Sequence, residues 1–133
     1  ASAHDIDPNR LVFATRVPRV EDHLARYRHA KVFLDTAPYN AHSTATDVSR
    51  AGVPIVTLKQ RSFASRVAAS VLQTLGLDEG RVVTSYEGYW KAVHAALDQQ
   101  VSEIGEDAQY PSTVEHAVAL ELLYAEAVRL SAN

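Results

Sequence analysis

The sequence predicts an α/β domain, a parallel sheet of about four strands with helices flanking it. Three observations carry that prediction. Short apolar runs alternate with segments of helical periodicity along the chain, as strand–helix–strand units require. The 133 residues are 47% hydrophobic and 22% charged, an ordinary globular mixture that suffices to bury one core. The stretch 31–58, KVFLDTAPYNAHSTATDVSRAGVPIVTL, holds one complete β-loop-α-β unit.

Taken in order, residues 1–8 read as a loop entering a first strand, RLVFA at 10–14, bounded by Pro8, Asn9 and Pro18. Over 20–30, Leu24, Tyr27 and Ala30 share one helical face. Glu21 and Asp22 at the start, with Arg26, Arg28 and His29 at the end, suit the helix dipole. Val32, Phe33 and Leu34 form a buried strand that the segment 35–40 cannot continue, because Pro38 lacks a ladder donor. His42, Ser43 and Thr44 then open a short helix, Gly52 closes it as the C′ residue, and PIVTL at 54–58 supplies the next strand. Ser62 is placed to cap a helix with Phe63, Val67, Val71 and Leu75 in one stripe, ended by Gly76.

RVVT at 81–84 is a further short strand. Ser85 is the N-cap of a helix carrying Tyr89, Trp90, Val93 and Leu97. Periodicity is lost over 99–109, and a C-terminal helix is expected over 111–131, with Ala117, Leu120, Tyr124, Ala127 and Val128 on a broad apolar face. No internal repeat or low-complexity segment interrupts the chain, so 1–133 reads as a single domain. A sheet of so few strands leaves an edge open to pair with another copy, and self-association of the chain is expected on that ground.

Composition excludes several functions. A net charge of −3 without clustered Lys or Arg argues against nucleic-acid binding. With no cysteine there is neither a disulfide nor a thiolate metal site, which is compatible with a reducing cytoplasm, the compartment expected here. No apolar run approaches the roughly 18 residues that span a membrane, so the chain is expected to be soluble. His23, His29 and His42 match no zinc-ligand spacing, and no metal is expected.

The chemistry that remains lies in the 31–58 unit. There the helix N-terminus falls at the carboxyl edge of the sheet, where unpaired amides and the helix dipole suit a diphosphate. Ser43 and Thr44 add hydroxyl donors, and Asp47, three residues beyond Thr44, occupies a neighbouring position whose carboxylate can accept both hydroxyls of a ribose. Pattern alone also allows Ser43 as a plain N-cap and Asp47 as a solvated helix residue.

LDTAPYNAHSTATD, followed by AGVPIVTL and SFASRVAAS, resembles the C-terminal catalytic lobe of the O-GlcNAc transferase/SPINDLY glycosyltransferases, family 41, whose pattern is LDT-x-PYN-[GA]-HTT-x-x-D-x-LW-x-G-x-P. The shared motifs run from about Arg10 through Leu75, with a weaker signal to the C-terminal helix. The resemblance implies a Rossmann-like sheet, part of the C-terminal lobe of a GT-B glycosyltransferase. It implies inverting transfer of GlcNAc or a related sugar from a UDP-sugar, with UDP-GlcNAc the expected donor, to Ser or Thr hydroxyls of proteins. No cofactor and no metal are implied. The protein acceptor would be held by the rest of a larger enzyme carrying TPR-type helical repeats and a second lobe.

By the same resemblance His42 contacts the sugar-nucleotide pocket, His23 stacks on uracil and Arg19 lies near the ribose, while Arg66 matches a family arginine. The family's phosphate-binding lysine lies upstream of the matched stretch and its candidate base in the other lobe. No catalytic residue is therefore expected in this chain, which alone is expected to be inactive. Three departures stand out: one extra residue in the VPRVED spacing before His23, DVSRAG in place of DALWAG, and Lys59-Gln60-Arg61-Ser62 in place of Pro-Gly-Glu-Thr. The last removes a permissive glycine and reverses a charge near the pocket. Such changes also fit an alternative, a degenerate non-catalytic module that mediates protein association.

Overall fold

The computed structural model describes residues 4–98 together with Val118, Glu121 and Arg129. Three strands, β1 (Phe33–Leu34), β2 (Ile55–Leu58) and β3 (Val82–Val83), form a parallel sheet in the order β1-β2-β3. Phe33 pairs with Ile55 and Leu34 with Val56 on one side of β2; Thr57 pairs with Val82 and Leu58 with Val83 on the other. Every residue of the central strand is buried, as a parallel strand covered on both faces must be.

Among the described residues, four helices connect and cover these strands: α1 (Val20–Ala25), α2 (Ser43–Arg50), α3 (Val67–Thr74) and α4 (Tyr86–Asp98). Because side chains alternate along β2, it feeds two separate cores. On one face Ile55 packs with Ala45 and Val48 of α2, Val53, and Ala68 and Leu72 of α3. On the other, Val56 and Leu58 pack with Tyr89, Ala92, Val93 and Ala96 of α4. The sheet is thus a layer between α2 and α3 on one side and α4 on the other, the α/β arrangement that the sequence predicts.

The helix ends follow from specific residues. Gly52 has φ of 80°, a conformation that suits glycine; its amide bonds Ser49 O at 3.1 Å while Val53 N bonds Val48 O at 3.2 Å, the paired bonds of a Schellman motif. The expected cap at Ser85 forms, with its Oγ accepting from Gly88 N at 3.1 Å.

Several expectations are corrected; of the buried strand expected at Val32, Phe33 and Leu34, only Phe33 and Leu34 join the ladder, and Leu34 is 47% exposed. No strand forms over 10–14, so among the described residues the sheet has three strands where about four were expected; Val12 is 86% and Phe13 89% exposed. An apolar run becomes a strand only where a neighbour offers a ladder, and none is offered to this one among the described residues. The helix expected over 20–30 shortens to α1 and tightens into a 3-10 segment, Arg26–His29, neither of which buries a residue. Ser62 makes no cap bond: its hydroxyl meets Ser65 Oγ, and a 3-10 turn, Phe63–Ser65, precedes α3. The residues α3 fully buries are Ala68, Ala69 and Leu72; of the expected stripe, Val67, Val71 and Leu75 are half-buried, with Val71 packed against the core, and Phe63 is exposed. Two alanines let α3 approach β2 closely, which turns the larger stripe aside. Within α4, Trp90 and Leu97 remain exposed while Tyr89 and Val93 are buried.

The loop expected over 99–109 lies outside the described residues. So does the helix expected over 111–131, apart from Val118, Glu121 and Arg129, which are helical and exposed. Among the described residues no helix is long and apolar enough to cross a membrane.

Candidate functional site

The carboxyl ends of β1 and β2 carry the loops from which a site is built. Directly after β1, Asp35 turns inward and is 5% exposed. Its carboxylate accepts three hydrogen bonds, from Thr36 N at 2.9 Å and Ala41 N at 2.7 Å on one oxygen and from Thr57 Oγ1 at 2.6 Å on the other. The Asp35 carbonyl also accepts from the Tyr89 hydroxyl at 2.9 Å. A buried carboxylate is tolerable only when so satisfied, and here the satisfaction ties both ends of the loop to β2 and α4.

The loop then closes on itself. Thr36 Oγ1 donates to Tyr39 O at 2.6 Å and Asn40 Nδ2 to Thr36 O at 2.8 Å, across a cis Ala37–Pro38 peptide. Asn40 N donates to Ala64 O at 2.8 Å, which joins this loop to the turn after β2. On that side Gln60 N bonds Ser65 O at 3.2 Å and Arg66 Nε bonds Gln60 O at 3.0 Å, so Arg66 holds the loop that carries Lys59 and Arg61.

This frame fixes the start of α2. His42 is its N-cap residue but its ring makes no cap bond; the ring stacks on Tyr39 at 4.8 Å and meets Phe63 edge-on at 6.3 Å. Its Nε2 is buried without a hydrogen-bond partner. The first backbone bond of the helix is Ala45 N to His42 O at 3.0 Å, so the amides of Ser43 and Thr44 precede the intrahelical ladder. Ser43 is exposed and Thr44 half-buried. An uncapped helix start, two hydroxyls, and Lys59 and Arg61 on the adjoining loop make this edge electropositive.

Asp47, one turn further along α2, is half-buried and faces α1. It lines a recess of about 290 Å³ with Glu21, Leu24, Arg28 and Arg50. The nearby Tyr27 phenol is pushed above its ordinary pKa, first by burial and then by the Asp47 charge. The structure therefore brings His42, Ser43, Thr44 and Asp47 together on one helix start. Arg19 and His23 stand apart from them, on and just before α1. Arg19 pairs with Glu21 at 3.6 Å at the surface, and the exposed His23 ring shares a 3.1 Å hydrogen bond with the Tyr27 hydroxyl. Among the described residues no three acidic or histidine side chains gather as a metal site.

Sequence reasoning missed Asp35, Asn40 and the Tyr39–His42–Phe63 stack. The first had a signal, since an acid directly following an apolar strand and preceding Pro38 has to be either solvated or bonded by its own loop. The stack had none, because Phe63 comes from a separate loop.

The profile of glycosyl transferase family 41 matches residues 1–117. The chain is 42% identical over 100 residues to the probable UDP-N-acetylglucosamine–peptide N-acetylglucosaminyltransferase SEC of Arabidopsis thaliana, a match spanning 74% of this chain and 10% of that protein. It is 41% identical over 93 residues to the UDP-N-acetylglucosamine–peptide N-acetylglucosaminyltransferase of Caenorhabditis elegans, spanning 70% of this chain and 8% of that protein. Among solved structures it is similar to a mutant of Thermobaculum terrenum O-GlcNAc transferase, with a TM-score of 0.74 and 25% identity over 98% of this chain and 27% of the other. The chain thus spans about a tenth of the length of the curated relatives it matches.

Proposed function

Because the chain belongs to glycosyl transferase family 41, we propose that it is the nucleotide-sugar-binding part of a protein O-glycosyltransferase, with UDP-GlcNAc as donor and Ser or Thr hydroxyls of proteins as acceptors. The observation that carries the proposal is the uncapped start of α2 at the carboxyl edge of the sheet, with Ser43, Thr44 and Asp47 along it. The amides and hydroxyls of Ser43 and Thr44 take the diphosphate, and Asp47 accepts from the ribose hydroxyls. His42, held between Tyr39 and Phe63, borders the donor at the helix start. Arg19 and His23 approach the nucleoside from α1, which requires His23 to exchange its Tyr27 bond for a face of the base.

In the proposed reaction an acceptor hydroxyl attacks the anomeric carbon, the bond from that carbon to the diphosphate breaks, and UDP departs with the bonding pair. The charge that develops on the diphosphate lies against the α2 N-terminus, which is oriented beforehand by the Asp35 network. The proton of the hydroxyl passes to a group outside this chain, so the chain alone is proposed to bind the donor without transferring the sugar. No resident cofactor or metal enters the proposal.

Asp47→Ala in the full-length enzyme tests the site. Loss of a carboxylate–hydroxyl pair is expected to weaken transition-state binding by about 1–3 kcal/mol, seen mainly in the KM for the nucleotide-sugar. Alanine favours a helix, so the melting temperature is expected to hold. An unchanged KM at unchanged stability would return Asp47 to a solvated role and favour a protein-association module instead.

A further inference from the structure

Within the stripe of Phe63, Val67, Val71 and Leu75, Val71 packs in part against the core while Phe63 is exposed. These residues recur every four positions along the 3-10 turn and α3, and all four line an open groove of about 660 Å³ beside α2. α3 therefore has two apolar faces. The small one, Ala68, Ala69 and Leu72, seats it on β2, while the larger one is half-buried at Val67, Val71 and Leu75 and open at Phe63, which is 81% exposed. Apolar surface gathered into one groove beyond what the core takes up marks a docking site.

Charge indicates the occupant. Lys59 and Arg66 stand at the Phe63 end and Arg50 on the α2 wall, while among the described residues no acidic side chain lines the groove. Neither Ser43 nor Asp47 lines it, and it adjoins the proposed donor site through Phe63 and Lys59. We infer that the groove between α2 and α3 docks an amphipathic helix of a partner protein, with apolar side chains at i, i+4 and i+7 on the Val67–Val71–Leu75 floor and Asp or Glu beside Lys59 and Arg66. Ridges spaced four residues apart on α3 accept the same spacing from a facing helix. Opposite charges at the rim set its orientation and its salt dependence.

The test titrates the 133-residue chain with a synthetic helix bearing a leucine stripe flanked by Glu, followed by methyl NMR, against the same helix with Lys in place of Glu. The acidic helix is expected to shift the methyls of Val67, Val71 and Leu75 and to bind at least about tenfold more tightly than the basic one. Ser70→Asp puts an acid into the groove at an exposed position, so it is expected to weaken the acidic helix about tenfold with no change in melting temperature. Lys59→Glu is expected to weaken it roughly fivefold at low salt and little at high salt. Absent methyl shifts, or equal binding of the two helices, would overturn the inference. So would contacts in the free chain from Val71 or Leu75 to its own residues beyond 98, or a dimer of the chain that Ser70→Asp dissociates, since the groove would then have another occupant.

Discussion

Residues 8–30 and 33–58 both carry apolar runs next to helical periodicity, yet they end up in different physical states. In the second stretch β2 is fully buried, α2 contributes Ala45 and Val48 to the core, and Asp35 bonds two backbone amides and a hydroxyl. In the first, neither the 3-10 turn Pro8–Arg10 nor α1 nor the Arg26–His29 segment buries a single residue. The difference lies in partners, not in intrinsic preference. Phe33 and Leu34 have Ile55 and Val56 beside them, while Val12 and Phe13 have no strand beside them among the described residues. The 33–58 stretch therefore holds its side chains more firmly than 8–30, where Tyr27 and Ala30 only border the core, and the proposed diphosphate contacts are all in it. The groups expected from the other stretch, Arg19 and His23, make surface contacts with Glu21 and Tyr27 instead.

Breaking the anchor of the ordered stretch is expected to have the largest effect. Asp35→Ala leaves Thr36 N, Ala41 N and Thr57 Oγ1 without their acceptor, Thr57 being wholly buried, and is expected to cost about 3 kcal/mol in a urea unfolding experiment. A loss below about 0.5 kcal/mol would mean that the loop is held by something other than this carboxylate.

Tyr89→Phe sharpens the same comparison at one bond, the phenol to the Asp35 carbonyl at 2.9 Å, and is expected to cost about 1 kcal/mol. Its pH dependence has a definite sign. Burial first, and the Asp35 charge second, raise the Tyr89 phenol above the ordinary value of 10.0. The fold holds the neutral phenol, so its contribution is complete below about pH 10 and is lost as pH rises through the raised value. Melting temperatures of the parent are expected to fall more steeply above that pH than those of Tyr89→Phe; parallel profiles would remove Tyr89 as the cause. The raised Tyr27 phenol contributes in the same direction to both proteins.

The smallest effect belongs to the exposed stretch. Phe13→Ser is expected to change stability by less than about 0.5 kcal/mol, because an 89% exposed ring has almost no packing to lose. A loss above about 1.5 kcal/mol would show that residues 10–14 are buried after all and that the contrast drawn here is false.

What was legible in the sequence follows the same division. The β1–α2–β2 unit could be read because its signals are local: Pro38 stopping a strand, Gly52 closing a helix, an apolar run too short to be anything but a strand. The helix start with Ser43, Thr44 and Asp47 was legible for the same reason. Whether 10–14 pairs, which face of α3 is buried, and what the Asp35 carboxylate bonds all depend on residues far away in the chain, Thr57 being 22 positions from Asp35. The α3 case is instructive: periodicity pointed to the stripe with the larger side chains, but close packing against β2 selected the alanines.

The proposed binding of the nucleotide diphosphate at the start of α2 is tested by amide NMR of the chain titrated with UDP. Shifts at residues 41–47 are expected before any at 86–97, with a dissociation constant of about 0.1–1 mM, roughly −4 to −5.5 kcal/mol. If millimolar UDP leaves 41–47 unmoved, or moves α4 first, the diphosphate is not held at this helix start and the account is contradicted.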